Sequence, residues 1–179
     1  MCGIAGWYRV GSSIQTMPTQ QLEDVFTAIE DRGNHAAGIA WNWNNSDRPC
    51  VKKAPRDAST LVSEGIIEKD VGGHLDWILM HTRYTTQGST SNNGNNHPIV
   101  GHGHIVTHNG VIPNDILPFH KFGINRLHEV DSECVNAALK GSGIEWIAEN
   151  LLGSMSLAWV DTQNSDFVHL YTNGNNPLV

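Results

Sequence analysis

The chain has no basic tract and no lysine–arginine stripe; 11 Lys and Arg stand against 18 Asp and Glu, a net charge of −7. A surface that neutralises a polyphosphate needs the opposite balance, so nucleic acid is excluded as a partner. No apolar run approaches the ~20 residues that span a bilayer, which excludes a membrane-spanning helix. A charged stretch followed by an apolar one is missing at the N-terminus, so no signal peptide is read. Cysteine is scarce. Cys2, Cys50 and Cys134 form an odd set without framework spacing, which points to reduced thiols and a cytoplasmic setting. Neither a repeat nor a Pro-rich linker divides the 179 residues, so one domain over 1–179 is expected.

Histidine, in contrast, is plentiful, with ten copies. His102 and His104 alternate as on one strand face, and His97 and His108 are close in sequence. No HExxH or CxxC accompanies them, and a dedicated zinc site shows a recognisable ligand spacing. Neither a metal nor a cofactor is expected.

Alternating and continuous apolar runs mark the elements. Cys2 to Tyr8, Gly38 to Trp43, Val51 to Ala54 and Asp76 to His81 read as strands, with Ile39, Trp41 and Trp43 on one face. Met155 to Val160 and Phe167 to Tyr171 close the chain in the same way. Leu22, Val25, Phe26 and Ile29 recur at helical spacing after Pro18, with Thr16 or Thr19 as caps and Gly33 as the stop. Further helices are expected over Ala58 to Glu68, broken near Gly65, then Asp131 to Lys140 and Ile144 to Leu152. Turns are expected at Gly11-Ser12-Ser13, Asn44-Asn45-Ser46-Asp47 and Asp161 to Asp166. Thr85 to Asn96 has no apolar side chain, which predicts a surface loop of the kind that serves as a lid. Asn109-Gly110, between Ile105-Val106-Thr107 and Val111-Ile112, reads as a hairpin turn. Paired strands with interior helices give an α+β domain of antiparallel sheets.

Cys2 is the residue with the clearest chemistry. Removal of Met1 leaves a thiol and a free α-amine on one residue, and an α-amine titrates near pH ~8. One residue then supplies nucleophile and base together. The alternative is a small apolar residue at the start of a strand.

Five clusters recur in order along the chain. They are Met1-Cys2-Gly3-Ile4-Ala5-Gly6, Arg32-Gly33-Asn34-His35-Ala36-Ala37-Gly38, His81-Thr82-Arg83-Tyr84-Thr85-Thr86-Gln87-Gly88, His108-Asn109-Gly110 and Asp131-Ser132-Glu133. With Asn175-Asn176-Pro177-Leu178 near the end, they resemble the glutaminase domain of class II glutamine amidotransferases, N-terminal-nucleophile hydrolases that include the glutamine domains of glucosamine-6-phosphate synthase and amidophosphoribosyltransferase. The resemblance implies a four-layer αββα sandwich of two stacked antiparallel sheets between helical layers. It also implies hydrolysis of the side-chain amide of L-glutamine to glutamate and ammonia through a γ-glutamyl thioester on Cys2.

By the same resemblance, the Asn109 carboxamide and the Gly110 N–H hold the oxyanion, an alternative to their reading as a plain turn. Arg83 grips the substrate α-carboxylate, against the alternative of a surface ion pair. Asp131 holds the α-ammonium, against the alternative of a helix cap. Thr86 contacts the amino-acid end, while Arg32, Tyr84 and Gln87 support the site. Family members often carry Trp or Phe where Tyr84 stands, glucosamine-type members carry His at Gln87, and many have Pro-Asp or Tyr-Asp where this chain has Asn34-His35.

No synthase domain is expected within the chain, and the glutaminase unit is expected to be compact or shortened at its C-terminus. Ammonia then passes to a separately encoded acceptor enzyme. A γ-glutamyl amide or peptide hydrolase and a non-catalytic glutamine-binding regulatory module are the alternatives.

Overall fold

The computed structural model describes residues 2–11, 18–43, 46, 48–71, 74–174 and 176. The turn residues Ser12, Ser13, Asn44, Asn45 and Asp47, the Thr16 cap, and Asn175, Pro177 and Leu178 lie outside them. The elements in order are β1 (Gly3–Tyr8), α1 (Thr19–Ala28), β2 (Ala36–Trp43), β3 (Cys50–Ala54), α2 (Ala58–Ser63), α3 (Ile66–Asp70), β4 (Leu75–Arg83), β5 (Ile99–Gly101), β6 (His104–Val111), α4 (Leu117–Phe122), α5 (Glu133–Gly141), α6 (Ile144–Asn150), β7 (Ser154–Asp161) and β8 (Asn164–Thr172). Two four-stranded antiparallel sheets result, ordered β1-β4-β2-β3 and β5-β6-β7-β8.

The period of two along each strand sorts side chains between layers. From β4, Ile78 and Met80 join Ile39 and Trp41 of β2 against Leu22 and Phe26 of α1, Leu61 of α2 and Ile66 and Ile67 of α3. The alternate residues Trp77 and Leu79, with Ala40, meet Ile105, Ala158 and Val160 from the second sheet. Met155, Leu157 and Trp159 point the other way, onto Cys134, Val135 and Ala138 of α5 and Ile147 of α6. Helix, sheet, sheet, helix is therefore the layer order, as the resemblance implied. The long apolar runs of the inner strands follow from it, because both strand faces are buried.

Hydrogen bonds also stitch the sheets together. Trp77 Nε1 donates to Ser165 O at 2.7 Å, and Tyr8 Oη donates to Asp166 O at 2.9 Å. Gly65 (φ 84) separates α2 from α3, as its sequence position predicted.

Three expectations are corrected. Thr19 does not cap α1: Pro18 occupies the N-cap position and Thr19 is the first helical residue, with no side-chain cap bond. Asn109 and Gly110 do not form a hairpin turn; they lie inside β6, opposite Ser156 and Met155 of β7. The turn sits earlier, at His102 (φ 52) and Gly103 (φ 87), between β5 and β6. Both residues are left-handed, as a tight primed turn requires, and the interior position of Asn109-Gly110 comes from the long β6–β7 ladder. The Thr85–Asn96 segment is not wholly superficial either. Asn95 and Asn96 are fully buried, and their amides are satisfied by Ser89 O, Glu129, Thr90 O and Asn93. A polar side chain tolerates burial when each polar atom finds a partner.

Candidate active site

The site forms where β1, β4, β6 and the start of α5 end on the same side of the sandwich. One cavity is lined by Cys2, Arg83, Tyr84, Thr86, Gln87, His97, His108, Gly110, Val130, Asp131 and Ser132. Seven of the nine residues expected from sequence are in that lining: Cys2, Arg83, Tyr84, Thr86, Gln87, Gly110 and Asp131. Arg32 stands behind Cys2, its Nε donating to Cys2 O at 2.9 Å. Asn109 is outside the lining and nearly buried, and its carboxamide has no partner among the described residues.

Register places the thiol. Gly3 pairs with Thr82, the last pair but none beyond it, so Cys2 projects past the ladder toward Tyr84. The Tyr84 N–H donates to Cys2 Sγ at 3.4 Å, and the Cys2 thiol points at Tyr84 O, 3.7 Å away. Burial pushes the Cys2 thiol up; the Tyr84 main-chain contact and the Arg83 charge act against this, and Asp131 adds to it. A thiol so placed stays protonated near neutrality and needs a base to react.

Arg83 is buried, with 3% of its surface exposed, and belongs to no ion pair among the described residues. The surface-pair alternative therefore fails. Its guanidinium is fixed by donation to Asn96 Oδ1 at 2.8 Å, Gln87 O at 2.5 Å and Gly88 O at 3.0 Å. Asp131 does not cap α5 with its side chain: Ser132 is the N-cap residue, and Asp131 Oδ2 accepts the Ile112 N–H at 2.9 Å. An acidic and a basic side chain thus face one cavity without neutralising each other directly.

Gly110 has φ 147, and a Cβ there would lie 1.8 Å from Ser154 O. No other residue fits. The β6 main chain at this point is pressed against β7 more tightly than a side chain allows.

Several neighbours were not singled out as site residues by sequence. His81 and His97 are fully buried, their rings stacked at 4.1 Å, and His81 Nε2 donates to His108 O at 3.0 Å. Burial lowers His81 to about 3 and His97 well below its ordinary value, so both are neutral. His108 is also lowered by burial; its Nε2 donates to Ser154 O at 3.5 Å, leaving Nδ1 to accept from Ser132 Oγ at 2.9 Å. His35 takes the place of the family's acidic residue: its Nδ1 accepts the Thr85 N–H at 3.0 Å and its ring rests on Tyr84. The one signal available in sequence was adjacency, His108 to Asn109 and His97 to the Asn-rich segment. Among the described residues, no three His, Cys, Asp or Glu side chains gather as metal ligands do, and no helix is long and apolar enough to cross a membrane.

No protein-family profile matches the chain. It is 30% identical to a glutamine–fructose-6-phosphate aminotransferase of Streptococcus pyogenes across 97% of its own length and 29% of that protein. It is 24% identical to a 7-cyano-7-deazaguanine synthase of Saccharolobus solfataricus across 97% of its length and 39% of the relative. Glutamine phosphoribosylpyrophosphate amidotransferase from B. subtilis superposes on 90% of the chain, and 35% of that protein, with a TM-score of 0.64 at 16% identity. The chain thus spans well under half the length of these relatives. The fold is that of an N-terminal-nucleophile hydrolase. Within that class, the chain is similar to the glutamine domains of the class II glutamine amidotransferases.

Proposed function

We propose that this chain releases ammonia from the side-chain amide of L-glutamine, with Cys2 as nucleophile. The observation that carries the reading is one cavity bordered by the Cys2 thiol, the Arg83 guanidinium and the Asp131 carboxylate. A zwitterionic amino acid with a reactive far end matches that arrangement. Arg83 offers the α-carboxylate a guanidinium charge and the N–H groups that Asn96, Gln87 and Gly88 leave free, Asp131 accepts from the α-ammonium, and Thr86 borders the same end. The side chain then reaches toward Sγ.

Because burial raises the Cys2 thiol, the attacking thiolate needs a local base, and the α-amine that Cys2 gains on loss of Met1 supplies it. The thiolate adds to the amide carbon. In this scheme the tetrahedral oxyanion is held by the Gly110 N–H, which borders the cavity, and by the adjacent Asn109 carboxamide. The amine proton passes to the departing nitrogen, ammonia leaves, and a γ-glutamyl thioester remains on Sγ. Water cleaves it to glutamate and restores the thiol. Arg32 supports the nucleophile by holding Cys2 O, and Tyr84 and Gln87 shape the entrance. No cofactor takes part in this scheme.

We place the acceptor of this ammonia on a separately encoded synthase. The setting is the cytoplasm, where the thiol stays reduced. The test is glutamate release from glutamine by the purified protein. It is lost in Cys2→Ala and falls sharply in Cys2→Ser; wild-type turnover in Cys2→Ala overturns the reading.

A further inference from the structure

Lys53, on β3, is a lysine whose ammonium is turned inward. Its Nζ donates to Asn96 O at 2.6 Å and to Pro98 O at 2.8 Å. No carboxylate pairs with it among the described residues. The contacts close a ring: Asn96 Nδ2 donates to Asn93 Oδ1 at 3.0 Å, and Asn93 Nδ2 donates to Lys53 O at 2.8 Å. From this ring one bond leads to the site, Arg83 Nη1 to Asn96 Oδ1 at 2.8 Å. Strand β2 makes room for it at Gly38, where a Cβ would meet His97 O at 2.3 Å and Lys53 Cβ at 2.5 Å.

We propose that Lys53 is a positioning residue for substrate binding: its ammonium clamps the 96–98 main chain, and Asn96, held by that clamp, orients the Arg83 guanidinium for the α-carboxylate. A neutral side chain would fill the same space at lower desolvation cost, since burial, and secondarily the Arg83 charge, lower Lys53 to about 8. A cation retained there without a counter-charge serves a demand other than packing. It also adds positive potential beside Arg83, where an anionic group is to bind.

The proposal rests on the reading of Arg83 as the carboxylate ligand, and the experiment separates the two. Steady-state glutaminase kinetics are compared for wild type, Lys53→Met, Lys53→Arg, Asn96→Ala and Arg83→Lys. Lys53→Met is expected to raise KM for glutamine about tenfold while kcat changes less than about twofold, with partial rescue in Lys53→Arg. Alkylation of Cys2 by iodoacetamide, which carries no α-carboxylate, keeps its wild-type rate. An unchanged KM in Lys53→Met overturns the proposal, as does an equal loss in kcat and in alkylation, which marks general damage to the site. If Lys53→Met does not fold, Asn96→Ala decides, because it keeps both carbonyls that Lys53 binds: a tenfold rise in KM supports the relay and none overturns it. A raised KM in Arg83→Lys with both other variants normal removes Lys53 alone. An unchanged KM in Arg83→Lys removes the carboxylate reading as well.

Discussion

The Tyr84 N–H meets Cys2 Sγ at 3.4 Å because Gly3, next to Cys2, pairs across β1 and β4 with Thr82, two residues before Tyr84. The ladder fixes the Cys2 thiol, and Gly3 is what lets the ladder close. A Cβ at Gly3 would lie 2.5 Å from Ile29 O and 2.6 Å from Thr82 Oγ1. Gly3→Ala is therefore expected to displace β1 and cost about 1–3 kcal/mol of stability, with glutaminase kcat/KM falling at least about tenfold. Thermal melts and kinetics on one preparation check both.

At the proposed oxyanion position two variants separate donor from backbone. Asn109→Ala removes one donor, with an expected loss of about 10²–10³ in kcat and little change in KM. Gly110→Ala removes none, yet its Cβ would fall 1.8 Å from Ser154 O at a φ of 147. It is expected to lower stability as well as kcat, so denaturant midpoints distinguish the two.

Substrate selection is expected to divide between charges. Arg83→Lys and Asp131→Asn should raise KM for glutamine about tenfold or more. Asn at 131 retains an oxygen for the Ile112 N–H, so the melting temperature of that variant stays near wild type. Loss of binding together with loss of folding would assign Asp131 to the fold alone.

Acid should unfold the protein early. His81 is lowered to about 3 and His97 well below its ordinary value, both by burial. An unfolded histidine titrates near ~6.5. Above that pH neither state is charged and nothing is lost; below it the unfolded chain takes up protons that the folded chain refuses. Stability therefore falls from about pH 6.5 downward, by up to about 1.4 kcal/mol per pH unit for each such histidine. Urea midpoints between pH 7.5 and 4.5 measure it, and a flat profile over that range contradicts the neutral buried pair.

Much of the fold was legible because both faces of the inner strands are covered: Trp77-Ile78-Leu79-Met80 reads as one apolar run, and its odd and even members do go to different layers. Helix α1 and the break at Gly65 followed from spacing and from glycine's freedom. Asn109-Gly110 misled because the pair is both the strongest turn dipeptide and, here, part of a ladder that only the partner strand β7 defines. His102 concealed the real turn, since any residue other than glycine is uncommon in the left-handed region. The polar composition of Thr85–Asn96 was legible; the burial of Asn95 and Asn96 depends on partners that their own neighbourhood does not fully reveal, such as Glu129 and Arg83. Cys2, Arg83, Gly110 and Asp131 came from the order of motifs, since nothing local to any of them predicts a common cavity. Lys53 carried no signal at all: its bonds span 43 and 45 residues and arise from strand register.

The central claim is that Cys2, freed of Met1, carries the γ-glutamyl group. Its most direct test is intact mass of the purified protein, followed by reaction with a diazoketone analogue of glutamine and peptide mapping of the adduct. The account predicts a chain that begins at Cys2, labelled once on Cys2, with glutamine protecting against the label. A retained Met1 in protein that hydrolyses glutamine, or a label on Cys50 or Cys134, would contradict it.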